Sequence, residues 1–277
     1  MTAARTVWHF TDDTSTYHAA LTAMFTGTGV EVARGRAEAD VLHDVRASRS
    51  MGAVVPVGLL ADICPAAILA DLPYLFASRA YAMRFWDGAG RDTLRADLAP
   101  HGLDVWGVFD GGTRHFVTKT PLIDDFAGRT VRTMPGSLLA DVLRILGAHP
   151  VPVPGSDFAQ AARTGRFDAC ERSASNVLDY GLHEWFPYLT LTAHAHAVAA
   201  LVVNTAVAGD TLAASRVAAA ERVQRHAYQA RDEAALRRLE SVMRVRREAS
   251  PRLVAALGDA VARACPQVLE SVRKESA

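Results

Sequence analysis

The chain has little cysteine. Its three residues, Cys64, Cys170 and Cys265, lie far apart, and no CxxC or CxxxC pair occurs. That spacing argues against a structural zinc site, and no metal or cofactor is expected. An odd count leaves at least one free thiol, and all three read as small buried hydrophobes. Long apolar runs are missing too: the nearest, residues 52–70, is broken by Pro56, Asp62 and Pro65, too polar to span a bilayer. Neither charge dominates, with Lys+Arg 30 against Asp+Glu 30. That balance, with no basic run, argues against nucleic acid as a partner. Gly-, Ser- and Gln-rich tracts are absent, so long disordered stretches are not expected. No HExxH, GxSxG, GxGxxG or P-loop occurs, and Gly88-Ala89-Gly90 lacks the later glycine of a dinucleotide loop. The enzymatic alternative rests on His194 and His196, which share one strand face, combined with Cys170 or Asp168 in a metal or Cys–His site.

What is present fills two cores. The chain has 277 residues, 50% of them hydrophobic, which suits two lobes better than one. Strand-like and helix-like patterns alternate. Residues 6–10 read as a strand, 17–25 as a helix, 29–34 as a strand, 37–48 as a helix, and 51–57 as a buried strand. The pattern continues with a helix over 81–98 and strands over 104–109, 114–118 and 130–133. A helix over 137–146, a strand over 149–152, a helix over 157–164, and strands over 167–172 and 194–204 follow. Such alternation predicts α/β architecture with parallel strands covered on both faces. The run 216–247 holds no Gly or Pro and predicts one long amphipathic helix, its alternating charges a solvated face. A last helix should start at Pro251, capped by Ser250, and end near Ser271.

Seven segments carry more information. Asp71-Leu72-Pro73-Tyr74-Leu75-Phe76, Gly111-Gly112-Thr113-Arg114-His115-Phe116 and Phe126-Ala127-Gly128-Arg129-Thr130-Val131-Arg132 come first. Leu146-Gly147-Ala148-His149-Pro150-Val151-Pro152 and Thr164-Gly165-Arg166-Phe167-Asp168-Ala169-Cys170-Glu171 follow. Tyr188-Leu189-Thr190-Leu191-Thr192-Ala193-His194 and Val202-Val203-Asn204 complete the set. In this order and spacing they resemble the DctP-type extracytoplasmic solute receptors of TRAP (tripartite ATP-independent) transporters. Each segment is weak alone; seven in register over about residues 35–204 make a specific signal.

The resemblance implies a periplasmic-binding-protein-like fold, two α/β lobes with a hinge and a long helix crossing both. Lobe one would take residues 1–112 plus 198–238, and lobe two 113–197 plus 239–277. The hinge would lie near Gly111–Gly112 and His196–Val198, and saturating ligand should shrink the radius measured by small-angle scattering. The function implied is binding of a small organic acid, a mono- or dicarboxylate, in an interlobe cleft, with delivery to the TRAP membrane subunits. No catalysis is expected. The implied location is the periplasm, with a signal peptide removed, because Met1 to Arg5 lacks a leader's profile; a cytosolic protein is the other reading of that feature. The alternative function is a sensor or accessory binding protein of the same fold. Genes for two membrane subunits beside this one would favour the receptor.

In the resemblance, Arg132 makes a two-pronged salt bridge to the ligand carboxylate. A guanidinium suits this, being planar, charged and a paired donor; pairing with a local Asp such as Asp124 is the structural alternative. Arg114 stands where a second ligand-side arginine is expected, or in a hinge-stabilising ion pair. Two departures bear on the ligand. Arg172 stands where a ligand-bonding Asn is usual, and Gly155 where a pocket aromatic is usual. The pocket would lose a ring and gain a third cation, which points to a more anionic ligand, unless Arg172 turns away to Glu171 or Asp168. Glu171 and Asn176 are further pocket candidates. Asp13 and Thr14, with Asp12, form the first strand-to-helix loop, which lines clefts in open α/β sheets; helix capping is their other explanation.

Overall fold

The computed structural model describes residues 4–9, 16–209 and 212–266. The chain divides into two compact units. The first takes Met1–Ala67, Ala80–Gly111 and Ala197–Ala230; the second takes Ile68–Arg79, Gly112–His196 and Arg231–Ala277. The segment Ile68–Arg79 is held in the second unit by Tyr74, whose amide donates to the His194 carbonyl at 2.6 Å and whose hydroxyl donates to the Thr192 carbonyl at 3.1 Å.

The first unit opens with β1 (Ala4–His9), α1 (Thr16–Phe25), β2 (Glu31–Arg34), α2 (Glu38–Arg46) and β3 (Ser50–Pro56). β1 lies between β2 and β3, parallel to both. β3 is buried on both faces, as its Val54-Val55 run predicts. The helix expected over 81–98 is two: α3 (Arg79–Asp87) and α4 (Ala89–Leu98). They break at Gly88, whose φ of −112° and ψ of −115° suit a residue without Cβ.

The strands expected over 104–109 and 114–118 are a single one, β4 (Leu103–Thr118), that runs through Gly111-Gly112. A Cβ on Gly111 would sit 3.0 Å from the Ala197 carbonyl oxygen, so glycine is there for close approach and not for a turn.

The second unit adds β5 (Thr130–Thr133), α5 (Leu139–Ile145), β6 (His149–Pro152), α6 (Phe158–Arg163), β7 (Ala169–Arg172) and α7 (Ala174–Asp179). β8 (Tyr188–Asn204) follows, longer than the expected 194–204. β5 pairs in parallel with β6 and β7, whereas β7 pairs antiparallel with β4. β3 pairs antiparallel with β8. The sheet is therefore mixed where alternation predicted parallel strands, because the two long strands enter from the opposite direction.

Asn204 ends β8 and caps α8 (Thr205–Ala208), its side-chain oxygen accepting from the Ala206 and Val207 amides. α9 (Ala214–Leu239) begins in the first unit, where Gln224 bonds both the amide and the carbonyl of Asp110. In the second unit, Asp232 accepts from the Ser175 amide at 2.7 Å. The helix stops at Leu239, short of the expected 247. Residues 244–246 form β9 (Arg244–Arg246) beside β8, with Val245 packed into the core and both arginines exposed. Arg-Val-Arg fits a strand period of two as well as a helix, and the free edge of β8 decides.

α10 (Pro251–Ala264) closes the described chain, and Ser271 lies outside the described residues. Ser250 caps it, accepting from the Leu253 amide at 3.1 Å and donating to the Ile123 carbonyl at 2.9 Å. Ser250→Ala is expected to lower unfolding free energy by about 1 kcal/mol, read by urea denaturation, because a helix N-cap is worth about that much. Unchanged stability would show the cap to be dispensable.

Candidate functional site

The site is built at one end of the second unit's sheet. β5, β6 and β7 run in parallel, and their carboxyl ends are where open α/β sheets bind ligands. Arg132 is the third residue of β5 and Arg172 the last of β7. On antiparallel β4, His115 is opposite Arg172, which brings Arg114 to the same end.

Arg132 is 1% exposed, its Nε donating to the Val153 carbonyl at 3.0 Å and its Nη2 to Met134 Sδ at 2.8 Å. Burial pushes its pKa down to about 9, and the nearby Arg172 guanidinium adds to the drop. It still carries its charge at neutral pH. It does not pair with Asp124.

Arg172 is 8% exposed. Its guanidinium lies 3.8 Å from the ring centroid of Phe158 and 5.8 Å from that of Tyr180. The Arg132 guanidinium is 5.1 Å from the same Phe158 centroid. Two cations therefore share one aromatic side chain, which attracts each through the negative face of its ring. The alternative partners of Arg172 are engaged elsewhere. Asp168 accepts from the Thr130 hydroxyl at 2.5 Å and pairs with Lys119 at 3.5 Å. Glu171 offers Arg172 only its main-chain oxygen, at 3.5 Å, and its carboxylate lies 3.4 Å from Arg114 Nε. Among the described residues, neither Arg132 nor Arg172 has a carboxylate within 4.0 Å, and Arg172 Nε is buried without a hydrogen-bond partner.

Phe158 was not legible as a site residue. Gly155 does leave its position without a ring, but Phe158 opens α6 three residues later and its ring stands against both guanidinia. A phenylalanine in the first turn of a helix gave no signal beyond core packing. Asn176 sits in the first turn of α7, its amide donating to Ser173 Oγ at 3.4 Å. Asp12, Asp13 and Thr14 lie outside the described residues.

Flanking the site, His194 stacks on Phe116 at 4.3 Å and bonds Thr192 Oγ1 at 2.8 Å. His115 Nδ1 accepts from the Ala193 amide at 3.0 Å. Burial pushes both rings down to about 3, so they are neutral at ordinary pH. Among the described residues, no group of His, Cys, Asp and Glu is placed to hold a metal ion, and no helix is long and apolar enough to cross a membrane.

Asp71 completes the charge pattern. Burial pushes its carboxyl up to about 6; Glu171 adds to the rise and Arg114 opposes it. A raised carboxyl pKa stabilises the fold fully below the unfolded value of 3.8, and this is lost as pH climbs through about 6. Asp71→Asn should therefore gain roughly 1–3 kcal/mol over the parent at pH 7.5, and the gain should vanish near pH 4. Melting curves at the two pH values check this; an equal difference at both would refute the assignment.

The bacterial extracellular solute-binding protein family 7 (DctP) matches residues 35–265. The chain is 30% identical over 151 residues to the 2,3-diketo-L-gulonate-binding periplasmic protein YiaO of Escherichia coli, covering 53% of this chain and 45% of that protein. It is 29% identical over 136 residues to the C4-dicarboxylate-binding periplasmic protein DctP of Rhodobacter capsulatus, 48% of this chain and 41% of the other. The chain spans about half the length of the curated relatives it matches. A TRAP periplasmic solute-binding protein from Sulfitobacter, solved with β-D-galacturonate, superimposes with a TM-score of 0.86 at 19% identity, over 98% of this chain and 96% of that one. One from Sulfurospirillum deleyianum, solved with succinate, gives 0.86 at 18% identity, over 98% of both chains. These likenesses show the fold. The match over residues 35–265 shows the family: the chain belongs to the DctP family, family 7 of the bacterial extracellular solute-binding proteins.

Proposed function

We propose that this protein is the periplasmic receptor of a TRAP-type transporter, that it binds a small organic acid through a salt bridge to Arg132, and that it delivers the acid to the membrane permease subunits. In this reading the two units are the two lobes of the receptor. The supporting observation is the state of Arg132: a fully buried cation at the carboxyl end of a parallel strand, with no acidic partner among the described residues. A buried charge is stable when paired, and a ligand carboxylate would supply the pair. The acids named for relatives and neighbours, 2,3-diketo-L-gulonate, galacturonate and succinate, are of this class.

A thermal-shift screen over uronates, aldonates and short mono- and dicarboxylates tests the reading. A true ligand at about 100 times its Kd adds about 2.7 kcal/mol to native stability, hence a melting point higher by roughly 5–10 °C. A panel in which no acid moves the melting point would overturn it.

A further inference from the structure

Among the described residues of the second unit, two that carry a side chain hold a left-handed backbone: Tyr74 with φ of 58° and Ala193 with φ of 44°. That conformation is unfavourable for any residue with a Cβ. Their contacts interlock. The Tyr74 amide donates to the His194 carbonyl at 2.6 Å and its hydroxyl to the Thr192 carbonyl at 3.1 Å, so one residue grips the carbonyls on either side of Ala193. The Ala193 amide in turn donates to His115 Nδ1 at 3.0 Å. A main-chain amide can only donate, so the neutral ring keeps its proton on Nε2. His115 lies between Arg114 and Phe116 on β4 and opposite Arg172 on β7. Strain of this kind persists only where the surroundings hold it, and here the hold on β8 comes from a turn outside the strand. The same segment carries Asp71, whose charge is coupled to Glu171 and Arg114.

We propose that Tyr74 is a positioning residue of the acid site that acts through Ala193 and His115. It holds β8 in the left-handed conformation that aims the Ala193 amide at the imidazole, and the imidazole fixes the stretch of β4 that presents Arg114. This rests on the acid-receptor reading and adds to it a residue that need not touch the acid. Without the Tyr74 hydroxyl, Ala193 relaxes toward ordinary strand backbone and its amide turns from the ring. The Arg114–Glu171 pair, which neighbours Arg172 on β7, then loses its fixed place. Glycine at position 193 would need no such hold, because it takes a positive φ without steric cost.

The test titrates D-galacturonate, D-gluconate, succinate and 4-hydroxybutyrate calorimetrically into parent and variants, well below each melting point. For any acid the parent binds, Tyr74→Phe should raise Kd about fivefold or more, the worth of one buried hydrogen bond. Ala193→Gly alone should stay within twofold of the parent. Ala193→Gly added to Tyr74→Phe should bring Kd back to within twofold, a rescue that a tyrosine serving only stability would not give. Nitrogen NMR of the imidazoles reads the route. His115 should show the Nε2–H tautomer in the parent, a mixture of tautomers in Tyr74→Phe, and Nε2–H again in the double variant. Should Tyr74→Phe fail to fold, His115→Phe keeps a ring, removes the acceptor and should raise Kd by the same factor, with no rescue by Ala193→Gly. An unchanged Kd in Tyr74→Phe would make the hydroxyl a packing contact and overturn the proposal, as would a double variant that binds as weakly as Tyr74→Phe. In both cases the parent still binds acid and only the positioning inference falls. If no acid on the panel binds the parent, the receptor reading falls and takes this inference with it.

Discussion

Arg132→Ala is expected to weaken binding of the protein's acid ligand by about 30-fold or more. Removing one partner of a buried, hydrogen-bonded charge pair costs about 2–5 kcal/mol, and each 1.4 kcal/mol is a factor of about ten in Kd. Much of that loss comes from the carboxylate, which would enter the site without its counter-charge. Arg132→Lys should fall between, because an ammonium restores charge without the planar pair of donors. The unliganded protein should behave differently. Burial holds the Arg132 pKa at about 9, so the fold already carries a desolvated cation at neutral pH. Arg132→Met, which removes the charge and keeps most of the stem, is therefore expected to melt no lower than the parent in the absence of ligand. Calorimetry gives the binding term and a melting curve the folding term. A loss of binding under threefold would remove Arg132 from the site.

The second large effect concerns Phe158. Its ring is fully buried, lies 5.8 Å from Phe167 and 5.3 Å from Tyr180, and belongs to the core that includes Val117, Phe186, Leu189 and Leu239. Phe158→Ala is expected to lower unfolding stability by about 3–5 kcal/mol, the usual result of opening a large cavity in a packed core. Phe158→Leu retains most of the volume and should fold, with a loss of about 1–2 kcal/mol. It lacks the π face that holds Arg172 at 3.8 Å, so acid affinity should drop even though no charge is changed. Urea denaturation of Phe158→Ala and acid titration of Phe158→Leu read these separately. Undiminished binding by Phe158→Leu would show that the ring packs the core and does not position the guanidinia.

Some of this was legible in the sequence for simple physical reasons. β5 and β6 fall where short β-branched and proline-flanked runs predict them, and α10 begins at the Ser250-Pro251 pair that predicts its cap. Local chemistry specifies such elements: a hydroxyl reaches an amide three residues on whatever the rest of the chain does. Arg132 was named from the segment that ends in Val131-Arg132, and its burial follows from sitting on a strand with neighbours on both sides. The break at Gly88 and the end of α9 at Leu239 were not legible, because glycine is tolerated inside helices and Arg-Val-Arg satisfies either period.

The partner of each charged group was decided by tertiary structure alone. From sequence, Arg172 had two nearby carboxylates, Glu171 beside it and Asp168 four residues before. Neighbours on a strand point to opposite faces, and the antiparallel register of β4 with β7 sets Phe116 opposite Glu171, bringing the Glu171 carboxylate to Arg114. The parallel register of β5 with β7 hands Asp168 to Thr130. The helix after β6 then sets Phe158 where two arginines, forty residues apart in the chain, meet one ring. The residue types were written in the chain; which charges cancel and which are left without a carboxylate depended on strand register, because a one-residue slip reverses every side chain on the strand.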